Sequence, residues 1–139
     1  MVLYCGSKEV CKDLIIDKIK FEYDMVEKDK NPQIKFILFG DNEPIGICGL
    51  RTKLDDFWKI HGGNISCITR PKMRGKGYGV LMVGLLCEKA KQLGLEEVFA
   101  QCNKRNIASL KVLLKNNFVQ YDPKMEGWSD TCFLKKTLI

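Results

Sequence analysis

Histidine is nearly absent: His61 is the single one in 139 residues. Cysteine is plentiful, at positions 5, 11, 48, 67, 87, 102 and 132, but no two form a Cys-x-x-Cys pair. A zinc site needs ligands clustered at short spacings, so no metal is expected. Most of these cysteines lie in apolar surroundings, as in Ile47-Cys48, Leu86-Cys87 and Thr131-Cys132-Phe133. Their odd number and settings read as reduced, buried small hydrophobes. No apolar run approaches the roughly 20 residues of a membrane span, so no membrane partner is expected. The opening Met1-Val2-Leu3-Tyr4-Cys5-Gly6 lacks the basic head and apolar stretch of a secretory leader, and a cytoplasmic location is expected. Repeats, low-complexity tracts and linkers are missing as well. Residues 1–139 are expected to form one domain, long enough to bury roughly 68–70% of its unfolded surface.

Positive charge is in excess, and it is placed unevenly. Residues 1–60 carry 10 Lys/Arg against 11 Asp/Glu, whereas residues 61–139 carry 13 against 6. The densest stretch is Arg70-Pro71-Lys72-Met73-Arg74-Gly75-Lys76, with further glycines after it. Such a stretch points to an anionic ligand. Nucleic acid is not the expected partner, because interleaved aromatics and any recognisable reading motif are lacking.

Apolar spacing predicts a helix over 8–21, capped by Ser7, then a weak helical stripe over 21–30 that Asn31-Pro32 breaks. Strands are predicted over 34–39 and 45–50, joined by a turn at 40–44 into an antiparallel hairpin. Residues 51–60 read as a loop or a single helical turn, and His61-Gly62-Gly63 punctuates before a strand over 64–69. A helix follows over 79–93, with apolar positions at Leu81, Met82, Leu85, Leu86, Ala90 and Leu93, and Gly94 stops it. A strand over 95–102 leads to a helix from an Asn106 cap to about Lys115, which Asn116-Asn117 can end. The last strands are 118–121 and 131–138. This order predicts a mixed α/β sheet covered by helices, with a right-handed strand–helix–strand unit at 64–102.

The crossover places Arg74-Gly75-Lys76-Gly77-Tyr78-Gly79 between a strand and a helix. The first helical turn leaves backbone N–H groups without partners, and the macrodipole adds partial positive charge there. Glycines at alternate positions let a ligand approach closely. Arg74 and Lys76 add mobile cations, so the loop suits a diphosphate. It is neither a Walker loop nor a dinucleotide fingerprint, since the required spacings are not met.

Arg74-x-x-Gly77-x-Gly79, with Pro71 three residues ahead, resembles the acyl-CoA-binding loop of the GNAT N-acetyltransferase superfamily. The run from Asn106 through Ala108, Ser109 and Lys111 to Phe118 resembles the superfamily's second motif helix. Leu50-Arg51-Thr52 and His61-Gly62-Gly63-Asn64-Ile65 further resemble a bacterial subgroup of predicted acetyltransferases. The resemblance covers roughly residues 34–138. It implies a mixed, mostly antiparallel sheet flanked by helices, with a splay between strands 4 and 5. It implies acetyl-CoA as cosubstrate, with the pantetheine arm bonded to main-chain groups near Cys67, Ile68 and Thr69. The amides of Arg74, Gly75, Lys76, Gly77, Tyr78 and Gly79 would hold the diphosphate. Asn106 and Ser109 would reach the pantetheine or phosphate region, and Lys111 or Lys115 the nucleotide phosphate. The implied activity is transfer of an acetyl group to a primary amine of a small molecule or peptide, by direct attack.

Two departures bear on the chemistry. The superfamily's helix often carries a tyrosine that protonates the departing thiolate; here that position is Leu113. Tyr121, Tyr78 or solvent takes the role, or the chain is an inactive coenzyme-binding sensor of the same fold. Residues 64–69 also hold no carboxylate, where many relatives have a glutamate base. The remaining candidate bases are His61, Asp55, Asp56 and Glu43. Imidazole is the side chain suited to proton exchange near neutral pH, which favours His61. Cys67 as a nucleophile has no histidine near it in sequence. The brevity of residues 1–33 leaves the acceptor pocket open or completed by a second subunit in a homodimer.

Overall fold

The computed structural model describes residues 3–4, 33–40 and 43–139. The helix predicted over 8–21, the stripe over 21–30, the break at 31–32 and residues 41–42 of the predicted turn lie outside the described residues.

Strands β1 (Leu3–Tyr4), β2 (Gln33–Gly40), β3 (Glu43–Arg51) and β4 (Ile65–Thr69) form a sheet in that order. The β2–β3 and β3–β4 pairs are antiparallel, and β1 joins β2 in parallel. The register of β2 against β3 shifts between Leu38 and Phe39, where Phe39 faces Pro44. Proline has no N–H to give a ladder, and a bulge absorbs it. Ile34, Phe36 and Leu38 of β2 alternate into the core, joined by Ile45, Cys48 and Leu50 of β3.

The second sheet has the order β5 (Glu97–Asn103), β7 (Thr131–Thr137), β6 (Val119–Tyr121), all antiparallel. Among the described residues three α-helices intervene: α1 (Asp56–His61), α2 (Tyr78–Gln92) and α3 (Ile107–Lys115). The stretch 51–60, read as loop or one turn, ends in the six-residue α1.

In α2 the buried stripe is Met82, Val83, Leu86, Cys87 and Ala90, while Leu93 is exposed. The inward face is thus turned by about one residue from the predicted one, toward β3, β4 and α3, on which the helix packs. Gly79 and Gly84 permit that close packing: a Cβ on Gly79 would lie 3.2 Å from Val112 Cγ2, and one on Gly84 3.3 Å from Asn116 Oδ1. Asn116 Nδ2 donates to the carbonyls of Val80 and Val112, tying the two helices together. Asn117 ends α3 at φ 66°, the left-handed conformation expected there. The fold is a mixed, mostly antiparallel α/β sheet flanked by helices, interrupted between β4 and β5. Among the described residues, no helix is long and apolar enough to cross a membrane.

Candidate active site

The interruption between β4 and β5 has a defined geometry. At one end the strands are pinned. Asn64 donates its main-chain N–H to the Phe99 carbonyl at 2.7 Å, and its Oδ1 accepts from the Phe99 N–H at 2.7 Å. Its Nδ2 donates to the Arg51 carbonyl at 2.8 Å, so this buried amide is fully engaged. Gly63 makes the approach possible, since a Cβ there would lie 2.5 Å from the Phe99 carbonyl oxygen. Beyond this pin the strands share no ladder.

Which groups face the opening follows from antiparallel alternation. The Arg51 N–H donates to the Asn64 carbonyl, and the Arg70 N–H to the Ile45 carbonyl. Residues 64, 66, 68 and 70 therefore exchange hydrogen bonds with β3. The main-chain groups of Cys67 and Thr69 point the other way, into the opening. Ile68 turns its own toward Ile47, so of the three residues predicted to line the cofactor, it contributes an exposed side chain instead. On β5 the Lys104 N–H donates to the Asp130 carbonyl and the Leu138 N–H to the Glu96 carbonyl. The even-numbered residues thus face β7, and Phe99 and Gln101 face the opening. Gln101 Oε1 is buried with no hydrogen-bond partner among the described residues.

The glycine loop lies at the far end of β4. Pro71–Met73 form one 3-10 turn, and Gly75 and Gly77 take φ of 76° and 85°. Among the described residues a Cβ on either would meet nothing within 4 Å, so glycine is demanded there by conformation. The first helical bond of α2 is Leu81 N–H to Gly77 carbonyl, and among the described residues no side chain caps the helix. The amides of Tyr78, Gly79 and Val80 precede that bond and face outward. Arg74 Nε donates to the Thr69 carbonyl at 3.1 Å, which ties the loop to the end of β4. Arg74 and Lys76 are exposed.

Asn106 caps α3 through Oδ1, which accepts from the Ser109 N–H at 3.1 Å. Its Nδ2 is the group left to meet a ligand.

Both acid–base candidates sit on the face of the sheet opposite α2. His61 stacks on Phe57 at 4.1 Å and meets Trp128 edge-on at 4.9 Å. Trp128 touches Phe133, which touches Tyr121, which touches Phe99. Lys59 Nζ stands 4.6 Å over the Phe99 ring. Burial, with a smaller push from Glu97, raises the Tyr121 phenol above its ordinary value, so it keeps its proton. Tyr78 packs against the core at the start of α2. Leu113 is 4% exposed, so the helix turns that position inward. Asn64, Gln101 and the aromatic residues Phe99, Trp128 and Phe133 that link His61 to Tyr121 were not singled out from sequence. Only an asparagine after Gly-Gly at the head of an apolar strand could have signalled the first.

Residues 7–119 match the family described as an acetyltransferase (GNAT) domain. The chain belongs to the GNAT acetyltransferase family. Solved GNAT structures share its fold. It is similar to YncA, a putative acetyltransferase from Salmonella typhimurium with its cofactor acetyl-CoA: TM-score 0.62, 19% identity, 78% of this chain and 65% of that one. It is similar to the Campylobacter jejuni N-acetyltransferase PseH in complex with acetyl coenzyme A: TM-score 0.59, 20% identity, 80% of this chain and 71% of that one. It is also similar to spermidine N-acetyltransferase from Vibrio cholerae in complex with CoA and spermine: TM-score 0.62, 15% identity, 94% of this chain and 73% of that one. The chain thus spans about two thirds of the YncA structure's length. No curated protein matches it in sequence.

Proposed function

We propose that this GNAT chain transfers an acetyl group from acetyl-CoA to a primary amine of a small molecule or peptide, by direct attack. One observation carries the reading: the uncapped, glycine-rich N-terminus of α2 stands beside an opening into which Cys67, Thr69 and Gln101 present main-chain groups. Two of the solved relatives hold acetyl-CoA. In this chain the diphosphate would rest on the amides from Arg74 to Gly79, with Arg74 and Lys76 balancing its charge. The pantetheine would lie along Cys67, Ile68 and Thr69, with Asn106 and Ser109 at its side.

The coenzyme supplies an activated thioester. The chain must supply a neutral amine and a proton for the leaving thiolate. A lysine-like amine has a pKa of about 10.4, so about one molecule in 2,500 is neutral at pH 7. His61 would take the ammonium proton, directly or through water. It precedes the pinned end of β4, about 17 Å along the strand from the phosphate loop at its other end. Gln101 Oε1, an acceptor without a partner among the described residues, suits the N–H of an amine. Tyr121, held protonated by burial, would return a proton to the thiolate. A β4 amide facing the opening would polarise the carbonyl, a contribution of about 3 kcal/mol.

The buried Leu113 and the lack of a carboxylate on β4 favour a second reading, a coenzyme-binding sensor without turnover. A thermal-shift titration with acetyl-CoA, followed by an amine and peptide panel with thiol detection, separates the two. Saturable stabilisation with thiol release supports the transferase, and stabilisation without release over the whole panel selects the sensor. No stabilisation of the wild type, or equal stabilisation of Arg74→Glu, overturns both.

A further inference from the structure

Two cysteines face each other beside the opening between β4 and β5. Cys48 on β3 stands directly opposite Cys67 on β4. The hydrogen bonds of Arg51 with Asn64 and of Arg70 with Ile45 make Cys48–Cys67 a non-hydrogen-bonded pair. That is the pair type in which facing side chains come closest, with Cα atoms about 4.5 Å apart. The separation lies within the roughly 4.4–6.8 Å that a disulfide spans. Both thiols are free. Cys48 is 2% exposed, whereas Cys67 is partly exposed, on the strand whose free edge faces the opening.

The described cysteines otherwise lack this combination. Cys102 and Cys132 are also opposite each other, but in a hydrogen-bonded pair, and both are buried. Cys87 lies on α2 and is buried. Among the described residues, no group of three or more His, Cys, Asp or Glu is placed to hold a metal ion. One reachable thiol with a buried thiol directly behind it is the arrangement that thiol–disulfide exchange requires.

The geometry points to Cys67 as a thiolation site for a low-molecular-weight disulfide, with Cys48 resolving the adduct into a Cys48–Cys67 cross-strand disulfide in the wall of the cleft. Taking glutathione disulfide, the Cys67 thiolate attacks one sulfur and that S–S bond breaks. One glutathione leaves as thiolate and takes up the proton that Cys67 lost. The Cys48 thiolate then attacks Cys67 Sγ, and the second glutathione leaves in the same way. Two protein thiols are oxidised by two electrons, and one disulfide is reduced to two thiols.

The test incubates the native full chain with glutathione disulfide, quenches with acid, alkylates the remaining thiols and maps peptides by mass. The wild type is expected to lose two hydrogens, with the link mapped to Cys48 and Cys67. Cys48→Ser is expected to stop with one glutathione on Cys67. Cys67→Ser is expected to slow modification of Cys48 at least tenfold. A link mapped elsewhere, such as Cys67–Cys87, overturns the pairing. An unmodified Cys67 in the native chain, under conditions that modify the guanidinium-unfolded chain, overturns the site. Wild-type mapping alone decides both points, whether or not the variants fold.

Discussion

Asn64 and Phe99 join β4 to β5 through two hydrogen bonds of 2.7 Å, one from each main-chain N–H. The asparagine side chain substitutes for the strand partner that the opening denies, and the strands diverge from that point. Replacing Asn64 by Leu keeps the volume but leaves the Phe99 N–H and the Arg51 carbonyl without this partner. An unsatisfied buried polar group costs about 1–3 kcal/mol, so a loss of about 2–6 kcal/mol is expected for the two together. Urea denaturation measures it, and hydrogen exchange at the Phe99 amide should accelerate locally.

Gly63 and Gly77 separate two reasons for glycine. Both are left-handed, at φ of 71° and 85°. Alanine at Gly77 meets nothing within 4 Å, so only the conformational cost of about 1–2 kcal/mol applies. Alanine at Gly63 adds a collision with the Phe99 carbonyl oxygen and should cost clearly more. Thermal denaturation of both variants checks the order. Gly77→Ala should also weaken acetyl-CoA binding by more than its loss of stability explains, read by titration calorimetry well below the melting temperature.

Much of this was legible beforehand, because the deciding signals are local. The β2–β3 hairpin, α2 with its Gly94 stop, and α3 between Asn106 and Asn117 follow from apolar period and capping residues. The glycine loop is legible because its backbone conformation forbids side chains. Gln101, Tyr121, Phe133 and Trp128 come together through strand pairing across a long sequence separation, and no spacing rule encodes that. Residue parity at an open strand edge is likewise fixed by the neighbouring ladder. Ile68 could therefore not be told from Cys67 and Thr69 until β3 was in place.

Gln101 carries a buried acceptor with no partner among the described residues, an arrangement that costs stability unless a ligand uses it. Gln101→Leu should therefore be neutral in stability or gain up to about 1 kcal/mol. Its KM for the amine that the panel identifies should rise at least tenfold, while acetyl-CoA affinity stays the same. A fall in stability with unchanged kinetics would make Gln101 a packing residue only.

Restoring the family's tyrosine should fail. Leu113 is 4% exposed and belongs to the core, so the longer, polar side chain of Leu113→Tyr overpacks it. A loss of about 1–3 kcal/mol is expected, with no gain in turnover. Tyr121→Phe is the informative partner. It should lower kcat while leaving KM for acetyl-CoA unchanged, since it removes only the phenolic proton.

Alkaline stability should report the buried thiol on α2. Burial pushes Cys87 from an ordinary 9.0 up to about 11, with Lys136 opposing the shift. The native chain then holds this proton more tightly than the unfolded chain. Stability from this group is fully present below pH 9 and falls as pH rises toward 11, where the unfolded chain has released the proton and the native chain has not. The loss attributable to Cys87 is about 2–3 kcal/mol. Cys48, raised by its contact with Cys67 and by burial, and Cys102, raised chiefly by burial, slope the same way. Cys87→Ala should therefore flatten only part of the decline. Urea midpoints of wild type and variant across pH 8–11 test this, and parallel curves would show that the Cys87 thiol ionises as freely in the fold as in the unfolded chain.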